Sequence, residues 1–272
     1  MQLPGPGVFG PPRDRAEALG VLRRSVELGV NHVDTAQYYG PDVANELIHE
    51  ALHPYPDDLV LVSKVGAARE PDGGWIPAQR PEQLRQGVEE NLRSLAVERL
   101  DVVNLRLMGD QDEALEHGPG VPLEEQLAMM VELREEGKIG GIGLSNVTVE
   151  QIRAGMAHTE IACVQNQMSL VHQAEPILEL CHDEGIPFVP FFPLGSAFPG
   201  MPKVTEQPAV REVAGRLGAT PAQIGLAWLL ARSPCVLLIP GTSSLAHLEE
   251  NQAVLGVELD AEAMAQLNGI RG

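Results

Sequence analysis

Apolar residues along this chain follow two alternating spacings, and the alternation predicts an architecture before any motif is considered. Leu84, Val88, Leu92 and Leu95 recur every three or four residues, as do Leu123, Leu127 and Met130, the spacing of helices with one buried face. Short apolar runs at 30–34, 59–65, 100–107, 139–144, 161–166, 186–191 and 235–239 read as strands lying between such helices. The helices carry their own punctuation. Asp14 precedes Glu17 by three positions, Thr148 precedes Gln151, and Thr220-Pro221-Ala222-Gln223 places proline at a first helical position. These signals start helices over 14–28, from 148, and from 220. Further helices are predicted at 42–53, from 81, at 174–184, 208–217, 245–255 and 261–267, with Gly29, Pro54 and Gly137 as stops. Segments 66–80, 109–120 and 192–204 read as long loops.

Seven strands, nearly all followed by a helix, imply a parallel sheet. No linker divides the 272 residues. One undivided domain over 1–272, closed as a (β/α)8 TIM barrel, is therefore expected in preference to a doubly wound sheet. The first unit is the exception: before Asp14 only Met1-Gln2-Leu3 resembles a strand. The expectation is a barrel whose first strand is truncated, leaving unpaired edges beside it.

Composition narrows the function. The formal net charge is −19, and only Lys64, Lys138 and Lys203 are lysines among 19 basic residues. Nucleic acids and anionic membranes demand a basic face, so neither is an expected partner. No apolar run approaches the length of a membrane span, and Met1-Gln-Leu-Pro-Gly-Pro-Gly7 lacks the basic and apolar regions of a signal peptide. A cytoplasmic location is expected. Cys163, Cys181 and Cys235 are odd in number and widely spaced, which reads as reduced core thiols.

Barrels of this kind work at the C-terminal ends of their strands. Those ends supply Asp34 and Tyr39, Lys64, Arg106, Ser145-Asn146, Gln165-Asn166, Phe191-Phe192 and Gly241-Thr242-Ser243-Ser244. A tyrosine phenol, with an ordinary pKa of about 10, is a poor acid at neutral pH. A neighbouring ammonium favours its ionised form, and a carboxylate fixes the ammonium in place. Asp34, Lys64 and Tyr39 could form that chain, suited to protonating a carbonyl oxygen while hydride arrives from a nicotinamide.

Asp34-Thr-Ala-x-x-Tyr39-Gly, Ser63-Lys64, Gly143-Leu-Ser-Asn146, Val164-Gln-Asn166, Pro193-Leu-Gly195 and Ile239-Pro-Gly-Thr with Glu250-Asn251 occur in the order found in the aldo-keto reductases. The chain resembles that family over almost its whole length. The resemblance implies that Asp34, Tyr39 and Lys64 belong to a catalytic tetrad. It implies that Ser145, Asn146 and Gln165 bind the nicotinamide carboxamide and that Phe191, with Phe192 and Leu194 beside it, stacks on the ring. Gly241, Thr242, Ser243, His247, Glu250 and Asn251 would hold the adenosine end. In the fourth catalytic position the family usually has histidine, whereas Asp101-Val-Val-Asn-Leu-Arg106 puts an arginine there. Arginine stays charged and cannot relay protons, but it can favour a tyrosinate or bind an anionic oxygen. Where many members hold the cofactor phosphate with lysine and arginine, this chain has Gly241 and His247; NADPH is implied by analogy, with NADH as the alternative. Arg106 with Gly5–Arg15 and Phe191-Phe-Pro-Leu-Gly195 resembles the bacterial pyridoxal reductase branch, implying a small aldehyde substrate. Members of that branch reduce pyridoxal to pyridoxine.

Three other readings compete. His49-Glu50-Ala51-Leu52-His53 matches a zinc-protease motif, but Pro54 stops the helix at once and no third ligand follows, so a surface helix is expected and no metal. Gly137-Lys-Ile-Gly-Gly-Ile-Gly143 is glycine-rich without the strand-to-helix context of a dinucleotide loop, and reads as a helix cap followed by close strand packing. A non-catalytic cofactor-binding regulator is a third possibility, opposed by the retention of Asp34, Tyr39 and Lys64.

Overall fold

The computed structural model describes residues 2–108, 120–195 and 200–270. Contacts divide the chain into two compact units, Met1–Val164 with Gly241–Ser244, and Gln165–Pro240 with Leu245–Gly272.

The first unit is built on the parallel ladder β1 (His32–Asp34), β2 (Val60–Arg69), β4 (Leu100–Arg106) and β5 (Ile139–Ser145), with β6 (Cys163–Gln165) next in hydrogen-bonded order and β3 (Trp75–Ala78) paired to β2. Helices α1 (Arg15–Glu27), α2 (Val43–Leu52), α3 (Pro81–Leu95), α4 (Leu123–Glu135) and α5 (Val149–His158) alternate with these strands, as the two spacings predict. Register sets what faces inward. His32 pairs with Val60 and Asp34 with Val62; Lys64 pairs with Asn104, and Arg106 with Ser145. Ladder partners point to the same face, so the ends of β1, β2, β4 and β5 present their side chains together. Leu61, Val103, Leu105, Ile142 and Leu144 are buried, the continuous apolar content of strands covered on both faces.

The second unit contains α6 (Glu175–Asp183), α7 (Pro208–Leu217), α8 (Pro221–Arg232), α9 (Leu245–Gln252) and α10 (Ala261–Asn268). Thr148 and Thr220 each complete a capping box with the glutamine three residues on. Asp14 accepts from the Glu17 amide at 2.9 Å.

Several expectations need correction. Segment 66–80 is not an open loop: β2 continues to Arg69 and folds back through β3 as an antiparallel hairpin, Arg69 facing Trp75 and Gly66 facing Ala78. Pro71-Asp72 forms its turn, closed by the Gly73 amide donating to Glu70 O at 2.9 Å, and Pro77, which lacks a donor, is accommodated in a strand paired to β2. The runs 186–191 and 235–239 are joined by isolated bridges, Phe188 to Val236 and Gln167 to Phe191, not by full strands. Leu3 is buried, yet residues 2–5 form no strand; the chain instead turns through a 3-10 segment at Pro6–Val8. Within the predicted loops, 109–119 and 196–199 lie outside the described residues, and Val204–Glu206 is a 3-10 turn.

Candidate active site

Asp34 is the last residue of β1, and Thr35 continues the ladder by donating its amide to Val62 O at 2.8 Å. Lys64, in the middle of β2, is ion-paired with Asp34. Only 4% of the lysine side chain and 6% of the aspartate side chain are exposed, so neither charge would be tolerated without the other. Lys64 Nζ also donates to Thr35 O at 3.0 Å and lies 5.2 Å from the centroid of the Tyr39 ring. The Asp34–Lys64–Tyr39 chain expected from the sequence is thus assembled.

Tyr39 follows a turn in which its amide bonds Ala36 O at 3.0 Å, and its carbonyl accepts from Ala44 in the first turn of α2. Tyr38 packs edge-on against it, ring centroids 5.4 Å apart, and edge-on against Trp75 at the same separation. Burial pushes the Tyr39 phenol well above its ordinary value, the Asp34 charge pushes the same way, and Arg106 opposes both. Lys64 is ion-paired with Asp34 beneath the ring, and Arg106 at the end of β4 is a cation that favours the tyrosinate.

Arg106 is placed there by a close backbone approach. Gly66 has φ +104°, and a Cβ on it would lie 2.2 Å from Arg106 O. No other residue type fits.

Ser145, opposite Arg106 in the ladder, is fully buried, and its hydroxyl has no hydrogen-bond partner among the described residues. Asn146 has φ +58° and donates its side-chain amide to Leu107 O at 2.9 Å. A buried hydroxyl left without a partner suits a ligand amide, so the site's residues fit a nicotinamide carboxamide. Thr242 lies in the same unit, its hydroxyl accepting from the Ser244 amide at 3.1 Å; Gly241 and Ser243 are exposed.

The remaining cofactor candidates belong to the second unit. Gln165 and Asn166 are buried, and Asn166 O accepts from the Phe191 amide at 3.0 Å. Phe191 and Phe192 stand edge to face with centroids 5.3 Å apart, and Phe192 has φ +52°. Leu194 packs against the buried Leu226, Ala227 and Val254. His247 is exposed on α9. Asn251 is buried, and Glu250 accepts from the Thr220 hydroxyl and, through its carbonyl, from Gln223 at 3.0 Å.

Sequence reasoning passed over Asn45 and Asn91. Both are fully buried between helix and strand, where Asn45 Nδ2 donates to Asn91 Oδ1 at 2.9 Å. A signal was present. The buried stripe of α3 is Leu84, Val88, Asn91 and Leu95, with Leu92 only partly buried, so an asparagine occupies a core position.

The competing motifs have structural explanations. Glu50 is ion-paired with Arg15, and α2 ends at Leu52, leaving His53 as an extended cap. Gly137 closes α4 with φ +77°, and a Cβ on Gly141 would lie 2.8 Å from that of Ala162. Cys163 and Cys181 are buried as expected, while Cys235 is half-exposed.

The ladder, the buried ion pair and the tyrosine above it define an oxidoreductase of the aldo-keto class. The chain belongs to the aldo/keto reductase family, whose sequence pattern matches residues 5–271. It is 50% identical over 274 residues to the pyridoxine 4-dehydrogenase of Escherichia coli (strain K12), covering 99% of this chain and 92% of that protein. It is 36% identical to an uncharacterized oxidoreductase of Schizosaccharomyces pombe, over 98% of this chain and 83% of the other. Among solved structures it is similar to a thermostable aldo-keto reductase in complex with the inhibitor epalrestat, at 28% identity and TM-score 0.79, covering 96% of this chain and 90% of that one. It is also similar to a Klebsiella pneumoniae aldo/keto reductase in complex with NADP and acetate, at 28% identity and TM-score 0.76, covering 93% and 84%. The fold is accordingly of the (β/α)8 barrel type, and the class uses a nicotinamide cofactor.

Proposed function

We propose that the protein reduces an aldehyde to a primary alcohol with NADPH, and that pyridoxal is the aldehyde its site suits best. The observation that carries this is the buried Asp34–Lys64 pair beneath Tyr39, with the Arg106 charge acting on the same phenol. Its support from relatives is the 50% identity to a pyridoxine 4-dehydrogenase.

A bound nicotinamide would supply hydride for the carbonyl carbon. Tyr39 donates its phenolic proton to the carbonyl oxygen, which becomes the alcohol hydroxyl, and regains a proton from solvent. Held neutral by burial, Tyr39 enters each cycle as an acid. Asp34 holds Lys64 against the Tyr39 ring, where the ammonium steadies the phenol oxygen as its proton leaves. Arg106 offsets the tyrosinate charge. It also pairs with the ring oxygen beside the pyridoxal aldehyde, a bond that a point-charge lysine or a neutral histidine would make less well. Ser145, Asn146 and Gln165 would hold the carboxamide of the cofactor and Phe191, with Phe192 and Leu194 beside it, would pack on its ring. Gly241, Thr242, Ser243, His247, Glu250 and Asn251 receive the adenosine end. NADPH is favoured over NADH because the Thr242 and Ser243 hydroxyls can bond a phosphate, and because the Klebsiella relative was solved with NADP. All these residues act as one domain spanning 1–272 in a cytoplasmic enzyme.

The test is NADPH oxidation against a panel of aldehydes that includes pyridoxal. Turnover with pyridoxal, and a loss of roughly tenfold or more in kcat/KM for pyridoxal on Arg106→His with small aliphatic aldehydes less affected, is the expected result. Cofactor binding without turnover of any aldehyde would overturn it in favour of a regulatory protein.

A further inference from the structure

Two residues that flank the catalytic ion pair are tied together on the far side of the strands. Thr35 follows Asp34, and Ser63 precedes Lys64. Because side chains alternate along a strand, Lys64 and Ser63 point to opposite faces of β2. On the helix side, Thr35 Oγ1 donates to Asn45 Oδ1 at 2.8 Å, Asn45 Nδ2 donates to Asn91 Oδ1 at 2.9 Å, and Ser63 Oγ donates to the same Asn91 oxygen at 2.5 Å. Asn91 Nδ2 is used on Gly87 O at 2.8 Å, and Asn45 Nδ2 also reaches Ser94 Oγ at 2.9 Å. Every one of Thr35, Asn45, Ser63 and Asn91 is 0% exposed. The direction of the bridge is fixed, since a hydroxyl feeds one amide oxygen at each end and both amide nitrogens donate to acceptors.

Four polar side chains buried between a sheet and two helices stabilise less than a well-packed apolar set of the same volume, but they admit only one relative position of the elements that carry them. Here those elements are β1, β2, α2 and α3. Thr35 is held on three sides, by its amide to Val62, its carbonyl from Lys64 and its hydroxyl to Asn45. Asn91 also lines one small cavity with Lys64 and Tyr38.

We infer that Asn45 and Asn91 are positioning residues for proton donation: through Thr35 and Ser63 they fix the end of β1 against the middle of β2, and so hold Lys64 against Asp34 and beneath Tyr39. The inference rests on the proposed role of Tyr39 as the acid. Slippage of the two strands by even an ångström would draw Lys64 away from Thr35 O and from the phenol.

The experiment uses Thr35→Val, which keeps the shape of threonine and removes its hydroxyl, Thr35→Ser, which keeps the hydroxyl, and Asn91→Leu. Asn268→Leu, which removes the hydrogen-bond acceptor of the buried Trp228 indole elsewhere in the chain, is the stability control. Each is assayed for kcat, KM and its pH profile with NADPH and pyridoxal. Tyrosine ionisation is also followed by ultraviolet difference titration without substrate, which is practicable because the chain has only three tyrosines. Thr35→Val and Asn91→Leu should lower kcat on the order of 10- to 100-fold with KM little changed, and shift the Tyr39 titration. Thr35→Ser should stay near the parent, and Asn268→Leu should lose stability alone. Parent-like kcat and titration in folded Thr35→Val and Asn91→Leu would overturn the inference. A parent protein inactive on every aldehyde would instead count against the proposed function, while the titration would still decide whether the bridge governs Tyr39.

Discussion

The Tyr39 phenol is raised by burial and by Asp34, Lys64 is paired with Asp34 against its ring, and Arg106 is a charge that pulls the phenol back. The three roles differ because their surroundings differ, and substitutions should separate them. Lys64→Met would leave the Asp34 carboxylate buried without its partner. It should cost about 3–5 kcal/mol of folding stability, read from denaturant unfolding, and abolish most turnover. The identities of these residues were legible in the sequence, because a carboxylate, a phenol and a scarce lysine each lie in or just after a short apolar run. Their electrostatic division of labour was not, since it depends on which oxygen the ammonium reaches. Asn45 and Asn91 went unread for the opposite reason: they sit inside an apolar stripe, and a pattern scored on its apolar members passes over the polar one.

At the scale of elements, helices were easier to read than strands. Thr148 and Thr220 announce their helices by local chemistry alone, and both complete the predicted capping box. The β2–β3 hairpin was hidden by the Gly and Pro content that read as a loop over 66–80, because its pairing partners are fixed by register and not by composition. The same stretch contains the contact that places Arg106. Gly66→Ala adds a Cβ where Arg106 O already lies, at a positive φ. It should destabilise the fold by about 1–3 kcal/mol and lower pyridoxal turnover far more than it changes cofactor affinity. Thermal unfolding and a cofactor titration on the one variant measure both.

For the molecule as a whole, alternation of two periods was enough to reach the (β/α)8 class, since strict alternation leaves few other topologies. It could not show that the runs at 186–191 and 235–239 are held by single bridges, because an apolar run looks the same whether it pairs over one residue or five. Stability also has a whole-molecule signature. Burial raises the phenols of Tyr38, Tyr39 and Tyr55, the last to about 12, whereas unfolded tyrosines titrate near 10. The folded chain then keeps protons that the unfolded chain has lost, so this stabilisation is complete below pH ~10 and disappears as pH rises through the folded values. Urea midpoints should be level from pH 8 to 9.5 and fall steeply above pH ~10. The central claim is that Tyr39 delivers the proton, and the rate of NADPH oxidation by Tyr39→Phe at saturating pyridoxal tests it most directly. A fall on the order of 10²- to 10⁴-fold with NADPH still bound is the predicted result; turnover equal to the parent would contradict it.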